Sequence, residues 1–358
     1  MDQSSFLLYG ANGYTGELIA RFARQYQLQP ILAGRNAATI QPLAAKLNLP
    51  FKIFSLDDTT ALLNALREVT VVVNAAGPFA LTAKKMVDAC LQTGTHYLDI
   101  NGDIALFELL KKLDAAAKEA GIMVMPGVGF DVVPTDCMAL FLKKLLPDAN
   151  SLKLAFATLG GGISHGTATT MTTKLGEGGA MRKNGVIVRV PLGDKGMEID
   201  FGRKKLFAMR IPWGDISTAH FTTGIPDIET YTNIQPAIYR ALKFQSFYNW
   251  LLRTSKVRSF VSRKINARAA GPSDAQRNEA ICLIWGQVSN ATGKSVTARM
   301  SGPEGYTLTF ITTLLITQKV LQGELKIGYQ TPAAVYGENM VLEVPGMKRE
   351  IVYDKLKE

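Results

Sequence analysis

Cysteine is scarce in this chain: Cys90, Cys137 and Cys282 are the three in 358 residues, widely spread and in no CxxC spacing. So few, in an odd number, argue against a disulfide scaffold and a cysteine-bound zinc, and fit a reducing, cytoplasmic setting. Histidine is equally sparse. His96, His165 and His220 have no ligand spacing, so no metal is expected. Long apolar runs are missing too. The longest uncharged stretch, 154–173, holds four glycines, six threonines, a serine and a histidine, which excludes a spanning helix. The opening Met-Asp-Gln-Ser-Ser lacks the basic and apolar regions of a secretory signal, so none is expected. Acidic residues are absent from 230–273, a stretch that carries eight basic ones.

What is present points to a globular chain. Apolar residues make up 47% and charged residues 20%, close to ordinary globular usage, which excludes wholesale disorder. The length suggests two domains, and charge divides the same way. Residues 1–133 hold 11 Lys/Arg against 12 Asp/Glu, whereas 134–358 hold 29 against 18. A near-neutral half is followed by a basic one.

Strand-like segments over 5–9, 31–33, 51–54, 69–74, 96–100 and 122–125 alternate with helical patterns over 14–26, 37–47, 60–67, 83–93 and 104–120. The run Val-Thr-Val-Val-Val-Asn at 69–74 is nearly all apolar, as a strand covered on both faces should be. Such alternation predicts an α/β, Rossmann-type, doubly wound parallel sheet. From 151 to 226 the pattern changes to short β-rich segments punctuated by turns, with a helix expected only over 167–175. A β pair over 280–289 and 294–301 brackets an Asn-Ala-Thr-Gly turn. These features predict a second, α+β domain built on a mostly antiparallel sheet. The expected boundaries are 1–133 for the nucleotide domain and 134–324 for a substrate and oligomerisation domain. Residues 325–358 are expected to pack back on the first, as is a helix over 307–321.

The strongest motif follows the first strand: Gly10-Ala11-Asn12-Gly13-Tyr14-Thr15-Gly16, leading into a helix. Glycines there permit a tight turn, close approach of backbone amides to a pyrophosphate, and close helix–strand packing. The second strand then ends in Ala33-Gly34-Arg35-Asn36, without the acid that would bond a ribose 2′-hydroxyl. Arg35 suits a 2′-phosphate instead, so the expected cofactor is NADP(H). Asp57 or Asp58 could accept from the adenine amino group, and either could equally cap the next helix. The fourth strand runs into Asn74-Ala75-Ala76-Gly77-Pro78, small residues that would let the nicotinamide half pass close to the backbone. Segments 97–103 and 126–137 end at the same edge, where Asp131 and Asp136 are the leading acid/base candidates, with Tyr97 and Asp99 behind them. His165 lies in Gly160-Gly161-Gly162-Ile163-Ser164-His165-Gly166-Thr167, which could present amides and hydroxyls to a carbonyl oxygen or form a capped glycine-rich turn. Two Tyr-x-x-x-Lys pairs, Tyr239/Lys243 and Tyr353/Lys357, lie far from that edge in sequence and are set aside.

Taken together, GANGYTG, AGR, NAAGPF, YLDINGD and GVGFDVVPTD resemble the saccharopine-dehydrogenase-like oxidoreductases, in particular the branch with the trans-acting enoyl reductases. The segments GGGISHGTATT, MRKNG, IPWGD, GPSDAQR and GYQTPAAVYG extend that resemblance along the chain. It implies NADP(H) binding at Gly10, Gly13, Gly16 and Arg35, with the 74–78 loop near the nicotinamide. It also implies hydride transfer to or from a carbonyl, imine or activated alkene, for which a lipophilic acyl substrate is preferred. No arginine cluster marks a dicarboxylate pocket, which disfavours saccharopine itself. A non-catalytic NADP(H) sensor or membrane-associated scaffold is the alternative.

The stretch 239–268 combines Ala241, Phe244, Phe247, Tyr248, Leu251 and Leu252 at helical spacing with seven or more basic side chains. That composition suits the inner membrane surface or an acidic carrier protein, and equally a helix covering the substrate sheet. Nucleic acid is not expected, since no recognition motif accompanies the charge. A homodimer is left open.

Overall fold

The computed structural model describes residues 5–173, 176–244, 247, 249–252, 254, 257 and 270–352, and their strands are numbered β1 to β16 along the chain. The chain divides into two compact units, Met1–Val133 with Tyr306–Val335 and Pro134–Gly305 with Tyr336–Glu358.

In the first unit, β1 (Ser5–Tyr9), β2 (Gln29–Gly34), β3 (Phe51–Ile53), β4 (Val71–Asn74), β5 (His96–Asp99), β6 (Met123–Met125) and β15 (Gly328–Tyr329) form one parallel sheet. Their order is β15-β6-β5-β4-β1-β2-β3. The chain thus leaves β1 in one direction and resumes at β4 on its other side, a topological switch point. Register aligns Tyr9 with Ala33 and Asn74, and Asn74 with Asp99. All four therefore finish at one carboxyl edge. Phe6, Leu7, Leu8, Leu32, Val71, Val72, Val73, Leu98 and Val124 are fully buried, which is why these strands carry apolar side chains on both faces.

Two expectations shift here. The helix over 104–120 is two helices, Ile104–Lys111 and Asp114–Glu119. The break lets the Asp114 carboxylate accept from Tyr329 N at 2.9 Å in β15. The segment returning to this unit is Tyr306–Val335, which includes the helix expected to do so, whereas Tyr336–Glu358 belongs to the second unit. Its helix, Gly305–Leu321, is buried around most of its circumference. Phe310 stacks on Phe22 with centroids 4.3 Å apart, and Tyr306 meets Tyr14 edge-on at 5.0 Å.

The second unit holds β7 (Ser151–Leu159), β8 (Gly179–Lys183), β9 (Val186–Val190), β10 (Gly196–Asp200), β11 (Lys205–Arg210), β12 (Asp227–Asn233), β13 (Ile281–Ser289), β14 (Ser295–Pro303) and β16 (Lys348–Val352). The main path is β10-β11-β12-β7-β13-β14-β16, with β8 and β9 attached through β12. All described pairs are antiparallel except β12 with β7. One face buries Ala155, Ala157, Ile199, Phe201, Ala208, Tyr231, Leu283 and Trp285 together. On the other, Gly286 leaves room for Leu142 and Met138 of the helix Val133–Leu145. The helix expected over 167–175 is His165–Thr173. A second helix, Asp215–Thr223, has no counterpart in the sequence reading. Its threonines and β-branched residues are poor helix formers, and burial of Ile216, Ser217, Thr218 and Ala219 overrides that preference. The tail strand β16 pairs along β14 from Ser301 to Thr297 and covers an open sheet edge. Among the described residues, no helix is long and apolar enough to cross a membrane.

Candidate cofactor site

The glycine turn is built around a left-handed residue. Gly10, with φ +83°, follows β1, and its N–H donates to Ala33 O at 2.8 Å. Ala75 N donates to Tyr9 O at 2.8 Å, so the turn sits between the ends of β2 and β4. A Cβ on Gly10 would lie 2.6 Å from Ala76 N, and one on Gly16 would run into Gly10 O. Both glycines are therefore demanded by backbone packing. Gly13 is the N-cap of the helix Tyr14–Phe22, and no side chain caps it. The first turn, with Tyr14, Thr15 and Gly16, thus presents backbone amides and the positive end of the helix dipole beside exposed Asn12 and Gly13. This cradle fits a pyrophosphate.

At the far end of β2, Asn36 caps the helix Ala37–Leu47 by accepting from Ala38 N, which leaves Arg35 exposed between strand and helix. The Asn12 carboxamide lies close over Gly34, where an added Cβ would be 3.4 Å from Oδ1. Arg35 and Asn12 thus border the same edge of the cradle. The two aspartates after β3 separate cleanly. Asp58 caps the helix Thr59–Leu66 through Ala61 N at 3.0 Å. Asp57 pairs with Lys85 on the helix Phe79–Thr93, and that bond holds its carboxyl below the ordinary range. An adenine contact by Asp57 would have to share the carboxylate with Lys85.

The loop after β4 is held from beneath by a buried polar network. Asn74 Oδ1 accepts from Ala76 N at 3.1 Å, while its Nδ2 donates to Thr82 Oγ1 and Tyr97 OH. Thr82 in turn donates to Ala76 O at 2.7 Å. Ala75 and Ala76 are half-buried, Gly77 and Pro78 exposed, and a Cβ on Gly77 would meet nothing within 4 Å. The loop offers open backbone to whatever lies above it. Below, Tyr97 OH donates to Asp99 Oδ2 at 2.7 Å. Asp99 Oδ1 accepts from Asn101 N, Asn101 Nδ2 and Gly127 N. Burial raises the Asp99 carboxyl and lifts the Tyr97 hydroxyl well above its usual range. Tyr97 and Asp99 are fully buried, so they position this edge rather than face a substrate.

The three catalytic candidates fare differently. Asp131 is half-buried, and its Oδ2 lies directly over Gly102, where a Cβ would come within 2.5 Å. Its loop is anchored at two points just ahead of it: Phe130 N donates to Thr309 Oγ1 at 3.0 Å, and Thr312 Oγ1 donates to Val128 O at 2.7 Å. Asp131 therefore stands at the carboxyl edge of β5 and β6. Asp136 does not fit the role expected of it. It is fully buried in the helix Val133–Leu145 and accepts from Thr222 Oγ1 at 2.6 Å, tying that helix to Asp215–Thr223. His165 opens its helix in a capped turn: Ser164 Oγ accepts from Thr167 N, and His165 N donates to Ala270 O at 2.9 Å. The His165 ring itself is half-buried. Thr82, Asn101 and Lys85 carry parts of the site that the sequence reading passed over. A threonine in the first turn of the helix after the 74–78 loop was the available signal for Thr82.

A parallel sheet with a glycine cradle at its switch point defines a dinucleotide-binding protein. Residues 6–125 match the saccharopine dehydrogenase NADP-binding domain, and this part of the chain is such a domain, with NADP(H) as its cofactor. The chain is 29% identical over 197 residues to the lipid droplet localized protein of Caenorhabditis elegans, covering 50% of this chain and 46% of the relative. It is 24% identical over 202 residues to the human saccharopine dehydrogenase-like oxidoreductase (49% and 47%). It is 28% identical over 140 residues to the trans-acting enoyl reductase of Mycobacterium leprae (36% and 33%). The matched stretch spans about half the length of the first two of these relatives. Saccharopine dehydrogenase (L-Glu forming) from Saccharomyces cerevisiae superposes with a TM-score of 0.69 at 14% identity, covering 98% of this chain and 100% of that one. That likeness is one of fold.

Proposed function

We propose that this chain is an NADP(H)-dependent oxidoreductase acting on a carbonyl, imine or activated alkene of a lipophilic acyl compound. The observation that carries this reading is the convergence, at one edge of one sheet, of the glycine cradle, the open 74–78 backbone and the anchored Asp131. Bound NADP(H) supplies the hydride chemistry. The chain's own part is to bind and orient. Gly13 and the first helical turn hold the pyrophosphate, Arg35 pairs with the 2′-phosphate, and the loop over Asn74 receives the nicotinamide half. Asp131 is the group on this edge suited to hold or deliver a proton at the reacting atom. The acyl preference is supported by the names of two relatives, one a lipid droplet protein and the other an enoyl reductase.

The test is NADPH oxidation in the presence of enoyl and ketoacyl thioesters of increasing chain length. Turnover that rises with chain length supports the proposal, and Asp131→Asn should lower kcat about a hundredfold or more while leaving NADPH affinity unchanged. Tight NADPH binding without turnover on any of these compounds would favour a nucleotide sensor. The full burial of Asp136 is what favours that second reading, since it withdraws one of the three candidate catalytic groups from the open edge.

A further inference from the structure

In the second unit, the helix Pro236–Lys243 uses one side for packing. Tyr239 lies against Phe207 with centroids 4.8 Å apart and sits over Gly196, where a Cβ would be 3.0 Å from its ring. The segment that continues from this helix has the opposite character. Ile238, Phe244, Phe247 and Trp250 are 49%, 58%, 78% and 72% exposed, which places three of the most exposed large apolar side chains among the described residues within seven residues of one another. Arg240 and Lys243, beside them in sequence, are exposed as well. Residues 230–273 carry eight basic side chains and no acidic one. The other six of these, including Arg253, Lys256, Arg258, Arg263 and Lys264, lie outside the described residues and contribute positive charge.

We propose that Ile238, Phe244, Phe247 and Trp250, flanked by Arg240 and Lys243, form a docking surface for an anionic lipid bilayer. Phe and Trp seat in the headgroup region, where an apolar ring gains from leaving water, and flanking cations are drawn to the negative surface. Four apolar side chains on so short a segment make too small a face for a stable protein interface, which needs about 800 Å² per partner. A twofold contact with a second copy would set this basic segment against itself, like charge on like charge. A lipid surface meets neither objection. It requires no more than a few inserted rings and supplies the opposite charge. This surface belongs to the second unit and makes no use of the cofactor cradle, so its test is independent of turnover.

The experiment is cosedimentation of the full chain with phosphatidylcholine vesicles and with mixed phosphatidylcholine–phosphatidylglycerol vesicles, alongside tryptophan emission. Sedimentation with the anionic vesicles at low salt, release as salt screens the attraction, and a blue shift of the emission are the expected results. Phe247→Ala with Trp250→Ala should lower the partition coefficient about tenfold or more. Arg240→Gln with Lys243→Gln should lower it about 25-fold, since each cation near an anionic surface strengthens binding about fivefold. All four side chains are exposed, so unchanged circular dichroism and NADPH affinity separate lost docking from lost folding. Absence of sedimentation with anionic vesicles at low salt would overturn the proposal. So would equal partition of the Phe247/Trp250 variant, or a dimer in solution that the same variant dissolves.

Discussion

The two units bury polar groups in opposite ways. In the first, the carboxyl edge rests on Asp99, whose neighbours are the Tyr97 hydroxyl, the Asn101 side chain and two backbone amides, with no cation in the network. In the second, the centre of polarity is an ion network. Arg210 pairs with Asp194 and donates to Glu229 at 2.7 Å, while Lys195 and Tyr231 donate to the same Glu229 carboxylate at 2.9 and 2.7 Å. Burial wins at Asp99 and raises its carboxyl. At Glu229 burial also pushes upward, but the bonds from Lys195 and Tyr231 outweigh it and the carboxyl falls below its ordinary value. The lesson is that desolvation alone does not set the sign. A cation within hydrogen-bond reach does. The first unit's ion pairs, such as Lys52–Glu68 and Lys84–Asp88, lie at its surface, whereas the second sets Arg210 and Glu229 between strands of its sheet.

The comparison breaks most sharply at the glycines. Gly10→Val forces a β-branched residue into a left-handed conformation against Ala76 backbone, so it should destabilise the first unit by about 3 kcal/mol or more and abolish NADPH binding. Gly13 has an ordinary extended backbone and a nearest added-Cβ contact of 3.3 Å. Gly13→Val should therefore abolish NADPH binding, measured by calorimetry, with a nearly unchanged melting temperature. A Gly13→Val protein that still binds NADPH normally would remove the cradle from the phosphate site.

In the second unit, Arg210→Met leaves Asp194 and Glu229 without their shared guanidinium and should cost about 3 kcal/mol in urea unfolding. Acid sharpens the contrast. Because the Glu229 carboxyl is lowered, its stabilisation is complete above the ordinary glutamate range and is lost as pH falls through its folded value. Asp99 has the reverse sign: its raised carboxyl favours folding below the ordinary aspartate range, and that favour is lost as pH rises through the folded value. Hydrogen exchange followed by mass spectrometry, from neutral pH down to about pH 3, should show β11 and β12 losing protection before β4 and β5. Glu229→Gln should flatten that dependence. Loss of protection in β4 and β5 first would reverse the assignment.

A smaller effect is expected at Arg35. NADPH should bind at least tenfold more tightly than NADH, a difference of about 1.4 kcal/mol, and Arg35→Asp should invert the order. Equal affinities of the native protein for the two cofactors would refute the phosphate role. Of similar size is Thr222→Val, which removes the hydroxyl bonded to Asp136 and should cost about 1–2 kcal/mol without altering NADPH affinity. A large fall in turnover with unchanged stability would return Asp136 to the catalytic list.

Much of the first unit was legible because its signals are local. The alternation of apolar strands with helical spacing marks a parallel sheet, and Gly10, Gly13 and Gly16 mark a turn whose backbone cannot carry side chains. The second unit was less legible. Threonine-rich 215–223 reads as anything but helix until Ile216 and Ala219 are seen to be buried, and Lys348–Val352, expected to pack on the first unit, instead pairs along the edge of β14. The polar residues around the site were the hardest to sort. Asp57 and Asp58 are adjacent in sequence, yet one pairs with Lys85 and the other caps a helix.

The sequence by itself determined the glycine cradle, the parallel sheet that carries it, and Arg35 where an acid would otherwise stand. These depend on φ angles, side-chain period and residue type within a few positions. Tertiary structure alone decided which carboxylates face outward: Asp131 stays half-exposed over Gly102, whereas Asp99 and Asp136 disappear beneath the loop and between helices. Burial is set by what the rest of the chain brings alongside, here the returning helix with Thr309 and Thr312 and the helix bearing Thr222, and no local pattern around an aspartate records those distant partners.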